Sequence, residues 1–197
     1  MTPQADEILE LFRSTGAYLS GHFRLTSGLH SSEYLQCALV LQYPRHAEHL
    51  GRLLAGALRD LSQDAINVVA SPALGGLIIG HEVARALGAR FVFTERDAAS
   101  GKMTLRRGFT VTAGENVAVV EDVITTGGST LDVVNVMRVA GARVQAAGSI
   151  VDRSGGRADV GVQRAALATL TATAWTSEEC PLCKQGVPVV KPGSRPA

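Results

Sequence analysis

Two adjacent acids, Glu121 and Asp122, end a β-branched run in VVEDVITTGGST (residues 119–130), and a loop of hydroxyls and glycines follows at once. Glycines at 127 and 128 let backbone approach a ligand closely, and Thr125, Thr126 and Ser129 add hydroxyl donors. A helix beginning near Ser129 would present unpaired N–H groups with partial positive charge. Together these features make a cradle for a phosphate monoester. Carboxylates beside it would repel that phosphate, so they need different partners: vicinal hydroxyls, or a divalent cation held by the same ligand. A sugar phosphate satisfies both halves. No Lys-Ser/Thr pair follows the glycines and no G-x-G-x-x-G follows a strand, so neither a Walker-type loop nor a dinucleotide fingerprint is present.

Elements of definite type must position this loop. Pro3 after Thr2 suits the start of a helix, Ile8, Leu9, Leu11 and Phe12 share one face, and Gly16 can close it. The stretch HFRLTSGLHSSEYLQCALVL reads as a hairpin or two extended pieces about a Ser-Gly turn. Leu50, Leu53, Leu54, Ala57 and Leu58 repeat at helical spacing between residues 45 and 61. Beyond them INVVAS, FVFTER, VAVVED and VQAAGSIVDR read as strands, with GLIIGHEVARALG and STLDVVNVMRVAG as helices between them. Apolar runs without alternation suit strands buried on both faces, so the pattern predicts an α/β fold with a mostly parallel sheet flanked by helices. The segment 97–107 lies in a connection long enough for a mobile loop, and MTLRRGFTV within it could form a hairpin. One domain over residues 1–190 and a flexible tail at 191–197 complete the division.

Composition narrows the function classes. The chain has 197 residues, 46% hydrophobic and 19% charged, with a net charge of +1 and no basic stripe. That argues for a globular protein without a nucleic-acid partner. Apolar runs fall well short of the roughly 20 residues of a membrane helix. The acidic, amphipathic start MTPQADEILELF resembles neither a secretion signal nor a transit peptide, so the expected location is cytoplasmic. Three cysteines argue against a disulfide framework. Cys180 and Cys183 have the spacing of half a zinc site or a redox pair, but Cys37 is distant. His22, His30, His46, His49 and His81 show no metal-ligand spacing, so zinc is disfavoured unless histidine or a second subunit completes the pair.

VVEDVITTGGST resembles the phosphoribosyl-diphosphate motif of type I phosphoribosyltransferases. Three further segments are similar to orotate phosphoribosyltransferases: FRLTSGLHSSEYLQ, SPALGGLIIGHEVARALG and SIVDRSGG, which with the first span residues 23–156 in order. EECPLCKQGVPVVKPGSR also looks like the tail of one bacterial subgroup. The resemblance implies a type I phosphoribosyltransferase fold with a small hood from the N-terminal segment (1–45) and the C-terminal segment. It implies a glycosyltransferase of pyrimidine (UMP) biosynthesis that joins orotate to 5-phosphoribosyl 1-diphosphate, with Mg2+ bound mainly through the diphosphate substrate and no dedicated metal ligands, in a homodimer with shared sites.

By the same resemblance Glu121 and Asp122 would hold the ribose hydroxyls. Thr125, Thr126, Gly127, Gly128 and Ser129 would take the 5′-phosphate, with Val123 and Ile124 also among the residues that bind 5-phosphoribosyl 1-diphosphate, and Thr125 would also approach orotate. Arg153 would pair with the orotate carboxylate through a guanidinium fork. Arg96 would reach the diphosphate, and Lys102, a catalytic candidate with Glu121 and Asp122, would close over the neighbouring subunit's site. Thr26 and Gly75 stand where family members often carry lysine, and no histidine lies between Asp97 and Arg107. Stabilisation of the diphosphate would then fall to Arg96, Lys102, Arg106 or Arg107, and backbone N–H groups at 73–76. A purine-type transferase, or a regulator built on the same fold, is the alternative reading.

Overall fold

The computed structural model describes residues 3–25, 27–171 and 173–192. The helix expected at the start is α1 (Pro3–Ser14), which buries Ile8, Leu9 and Phe12 and ends at Gly16 with φ +67°. The hairpin expected next is β1 (Tyr18–Arg24) antiparallel to β2 (His30–Leu35). CALVL departs from the extended reading, forming the short helix α2 (Cys37–Leu41), with Cys37, Val40 and Leu41 buried. An apolar run this short serves a buried helical turn as well as a buried strand. Then follow α3 (Pro44–Leu61), β3 (Val68–Pro72), α4 (Gly76–Leu87), β4 (Arg90–Arg96) and β5 (Met103–Leu105). The chain continues through β6 (Asn116–Ile124), α5 (Gly128–Val139), β7 (Arg143–Asp152), β8 (Arg164–Thr169), β9 (Ala174–Trp175) and α6 (Pro181–Lys184).

Six strands form the main sheet in the order β5-β4-β3-β6-β7-β8, parallel except for β5. Alternation of side chains across the sheet divides the core in two. Val69, Ala118 and Val120 face Leu50, Leu54, Leu58 and Ile79 from α3 and α4, together with Ile8 and Phe12 from α1. Val68, Ala70, Val117 and Val119 face Val133, Val134 and Met137 from α5. Leu50, Leu54 and Leu58 are fully buried, each contributing roughly 2 kcal/mol by removal from water. A smaller antiparallel sheet, β1-β2-β9, forms the hood from both ends of the chain.

The chain leaves β3 towards β4 on one side and leaves β6 towards β7 on the other. That reversal of direction opens a crevice at the carboxyl ends of β3 and β6, the usual ligand position in such sheets. The connection after β4 is a tight hairpin: Thr94, Glu95 and Arg96 pair with Leu105, Thr104 and Met103. Its turn closes on Asp97, whose Oδ1 accepts from the Ala99 and Ser100 N–H groups and the Ser100 hydroxyl. The hairpin is thus made by β4 with β5, not within MTLRRGFTV. Thr2, Thr26 and tail residues 193–197 lie outside the described residues.

Candidate active site

β6 carries the acids to the crevice, and the 125–129 loop turns from it directly into α5. Gly127 caps that helix at φ +84°, and an added Cβ would meet Val160, Ala158 and the Asp159 carbonyl at 3.0–3.2 Å. Both the left-handed backbone and the close packing call for glycine here. The first intrahelical bond runs from the Leu131 N–H to the Gly127 carbonyl, which leaves the amides of Gly128, Ser129 and Thr130 ahead of it. Glu121 and this loop line one small concavity. Thr125, Thr126 and Gly128 are exposed there, and Ser129 is half-buried. The result is an anion cradle of amides and hydroxyls at a helix N-terminus. Val123 and Ile124 border it, but their nearest polar groups are engaged: the Val123 N–H donates to Asp122 Oδ1 at 2.8 Å, and the Ile124 carbonyl accepts from the Arg153 N–H at 2.8 Å.

Successive strand residues point to opposite faces, yet the carboxyl groups of these two acids stay close enough to hydrogen-bond to each other. Glu121 faces the cradle, while Asp122 lies against the 73–76 loop after β3, where both its oxygens sit 2.7 Å from the place of a Gly75 Cβ. Burial pushes the Glu121 carboxyl well above its ordinary 4.5, reinforced by the charge of Asp122. Burial also raises Asp122 above 3.8, opposed by its bond from the Val123 amide. Two desolvated carboxylates side by side are suited to accept hydroxyl donors or to face a cation. The 73–76 loop itself is held by the Ala73 N–H on the Thr94 carbonyl, and its Ala73–Leu74 peptide is cis.

Arg153 follows β7 and is 9% exposed. Its Nη2 donates to the Ser31 hydroxyl at 3.4 Å and to the Glu33 carbonyl at 3.3 Å, both on β2 of the hood. Burial draws its pKa down, while the charge of Glu33 and the hydroxyls of Tyr34 and Tyr18 oppose that. Next to it, fully buried Asp152 is pulled upward by burial, but bonds from Ser154 and Arg164 prevail and hold it below the usual carboxylate range. Asp152 accepts from the Ser154 and Gly156 amides, and Arg164 donates to it at short range, which fixes the turn that aims Arg153. Tyr34 on β2 is half-buried, its hydroxyl pKa raised by burial and by the charge of Asp122, and it also feels Arg153. It therefore joins the two sides of the crevice, and its signal was its place in the hood segment.

The cations divide into committed and free. Arg96 at the end of β4 donates to the Gly101 carbonyl at 3.0 Å and pairs with Asp132 of α5 at 2.9 Å. Arg107, at φ +62°, makes a two-point pair with Glu95. Lys102 and Arg106 are exposed and make no ion pair among the described residues. Of the cations expected near a diphosphate, these two retain free charge. Gly75 has no room for a lysine in this conformation, because Asp122 occupies the space.

The expectation that the histidines stand apart from the cysteines is overturned. Pairing of β1 with β2 brings His22 to His30, and the C-terminal segment brings Cys180 and Cys183 to both. The sequence holds no compact motif for this, since the cluster joins residues 158 positions apart. All three cysteines are free of disulfides.

Among the described residues no helix is long and apolar enough to cross a membrane. Residues 39–165 match the family model described as phosphoribosyl transferase domain. The chain is 56% identical over 190 residues to an orotate phosphoribosyltransferase of Pelotomaculum thermopropionicum, covering 96% of this chain and 97% of that one. It is 52% identical to that of Heliobacterium modesticaldum, covering 96% and 98%. The crystal structure of orotate phosphoribosyltransferase from Aeropyrum pernix superposes with a TM-score of 0.67 at 29% identity, over 83% of this chain and 93% of that one. With an anion cradle and acid pair at the end of β6 and a buried arginine at the end of the neighbouring β7, the chain belongs to the phosphoribosyl transferase family, among the orotate phosphoribosyltransferases.

Proposed function

We propose that this chain transfers the phosphoribosyl group of 5-phosphoribosyl 1-diphosphate to orotate, giving orotidine 5′-phosphate and diphosphate in pyrimidine nucleotide synthesis. The observation that carries it is a buried arginine at the end of β7, joined by its N–H to the Ile124 carbonyl just before the phosphate cradle, its guanidinium seated by Ser31 and Glu33. The cradle takes the 5′-phosphate on amides and hydroxyls. Glu121 and Asp122 receive the ribose hydroxyls, which add donors to carboxylates that burial has largely stripped of water. Arg153 holds the orotate carboxylate and so fixes which ring nitrogen meets the anomeric carbon. Positive charge develops on the ribose as the diphosphate leaves, and the adjacent acids are placed to stabilise it.

The diphosphate leaves towards the 73–76 loop, where Arg106 of the hairpin and, in the dimer inferred below, Lys102 of the partner subunit can add charge. Arg96 would first have to exchange Asp132 for the ligand. Magnesium carried by the diphosphate would neutralise charge on the leaving group, and the hard oxygens of Glu121 and Asp122 suit such a cation nearby. We further infer a cytoplasmic homodimer in which Lys102 serves the partner's site. Support comes from its exposed place on a hairpin turn and from exposed Leu74 and Ile78 beside the crevice. Incubation with 5-phosphoribosyl 1-diphosphate, magnesium and orotate should consume the orotate absorbance. Turnover of adenine or hypoxanthine in place of orotate would overturn the reading.

A further inference from the structure

His22 lies in the bulged part of β1, and His30 opens β2. Cys180 and Cys183 bracket the first turn of α6. One donor atom from each comes within 4.8 Å of all the others. His22 Nε2 is 2.8 Å from His30 Nδ1, 3.5 Å from Cys180 Sγ and 3.7 Å from Cys183 Sγ, and Cys183 Sγ is 3.3 Å from His30 Nδ1. Ligands bound tetrahedrally to zinc, at about 2.0–2.1 Å for nitrogen and 2.3 Å for sulfur, stand roughly 3.3–3.8 Å apart. To match, the two imidazoles would part by about half an ångström and any pair near the 4.8 Å limit would close by about 1 Å, adjustments within reach of side-chain rotation. We propose that these four side chains form a structural zinc site.

The chemistry of the donors supports this independently of spacing. The other ring nitrogen of His22, Nδ1, lies 2.7 Å from the Val187 carbonyl. A carbonyl can only accept, so Nδ1 carries the proton and Nε2 turns its lone pair to the cluster. A backbone carbonyl fixing the tautomer is the recurrent outer partner of metal-binding histidines. Two thiols and two imidazoles select zinc over magnesium or calcium. Four protein donors leave no open position, so the role is structural. His22, His30 and Cys180 are buried, which shields the centre from water.

The site would tie the two ends of the chain together at the hood. The C-terminal segment returns along β1, with the Val190 N–H on the His22 carbonyl and the Arg24 N–H on the Val190 carbonyl. Little apolar burial holds it, since Val187, Val189 and Val190 are exposed. A bound cation supplies the cross-link that the hood's small core cannot. Ser31, next to His30, is the hydroxyl that receives Arg153, so the same cation steadies the seat of that guanidinium.

Elemental analysis of the purified full-length protein tests this without reference to turnover. One zinc per chain is expected, retained in Cys37→Ser and lost in the Cys180→Ser/Cys183→Ser double variant. Because that variant can misfold, the wild-type protein stripped by a chelator is titrated with Co2+ as well. Saturation at one equivalent, with the intense visible bands and thiolate charge-transfer band of tetrahedral cobalt, supports the site, as does recovery of the melting temperature with one equivalent of zinc. A metal-free protein that takes up no cobalt overturns it, as does a Cys180–Cys183 disulfide in protein kept under reducing conditions, or cobalt uptake unchanged in the double variant.

Discussion

Asp122 and Gly75 fit together across the crevice: both carboxylate oxygens stand 2.7 Å from the position a Cβ on Gly75 would take. Gly75 is exposed and its backbone is right-handed helical, so alanine there meets no backbone strain. Gly75→Ala should displace Asp122 and lower kcat/KM about 10²-fold, with a melting temperature close to the wild type. Unchanged kinetics would show that the position of Asp122 is not needed for turnover.

Arg153→Lys keeps the charge but removes the planar fork. The expected result is a KM for orotate raised roughly tenfold or more, with the KM for 5-phosphoribosyl 1-diphosphate nearly unchanged. An effect confined to the diphosphate substrate would assign Arg153 to the other side of the crevice.

Two buried acids should respond to pH with opposite signs. Glu121 titrates above its unfolded value, so its contribution to stability is fully present below that value and is lost as pH rises through the folded one. Glu121→Gln should therefore melt higher than wild type near neutral pH, with the gain vanishing in acid, and be nearly inactive. Asp152 titrates below its unfolded value, so its contribution is present above that value and lost as pH falls through the folded one. Asp152→Asn strands Arg164 and should cost roughly 3 kcal/mol near neutral pH, less in acid. Thermal melts of both variants across pH check the signs, and parallel shifts would refute the assignment.

The contacts of Lys102 in the hairpin turn are made by its backbone, while the exposed side chain forms no ion pair among the described residues. Lys102→Ala should reduce kcat about 10²-fold without moving the melting temperature. If its ammonium serves a partner's site, mixing Lys102→Ala with Asp122→Asn protein should restore measurable activity, whereas sites contained within one chain would give none.

The parts legible in the sequence were those set by local pattern. NVAVVEDVI is apolar without alternation because α4 and α5 cover both its faces, and the alternation of Val117, Ala118, Val119 and Val120 between two cores is the structural counterpart. The loop after it could be read because glycine, hydroxyl and helix start fall in one short stretch. β8 (RAALAT) escaped notice, since its small residues carry little strand preference and it is placed by pairing with β7. The hold of Asp122 on Gly75, and of Arg153 on Ser31, could not be read because each joins strands or loops far apart in the chain. The same is true of His22 and His30 with Cys180 and Cys183.

Gly127 has a consequence for any redesign of this protein. Its α-carbon is packed under Val160, Ala158 and the Asp159 carbonyl, which belong to the segment that follows Arg153. In the proposed binding mode the wall beside orotate is therefore also the roof of the phosphate turn. Lengthening or reshaping residues 154–162 to admit a different base would be transmitted to the grip on the 5′-phosphate. Base preference and phosphate affinity are not independent dials in this fold, and a library that varies one should be screened for both.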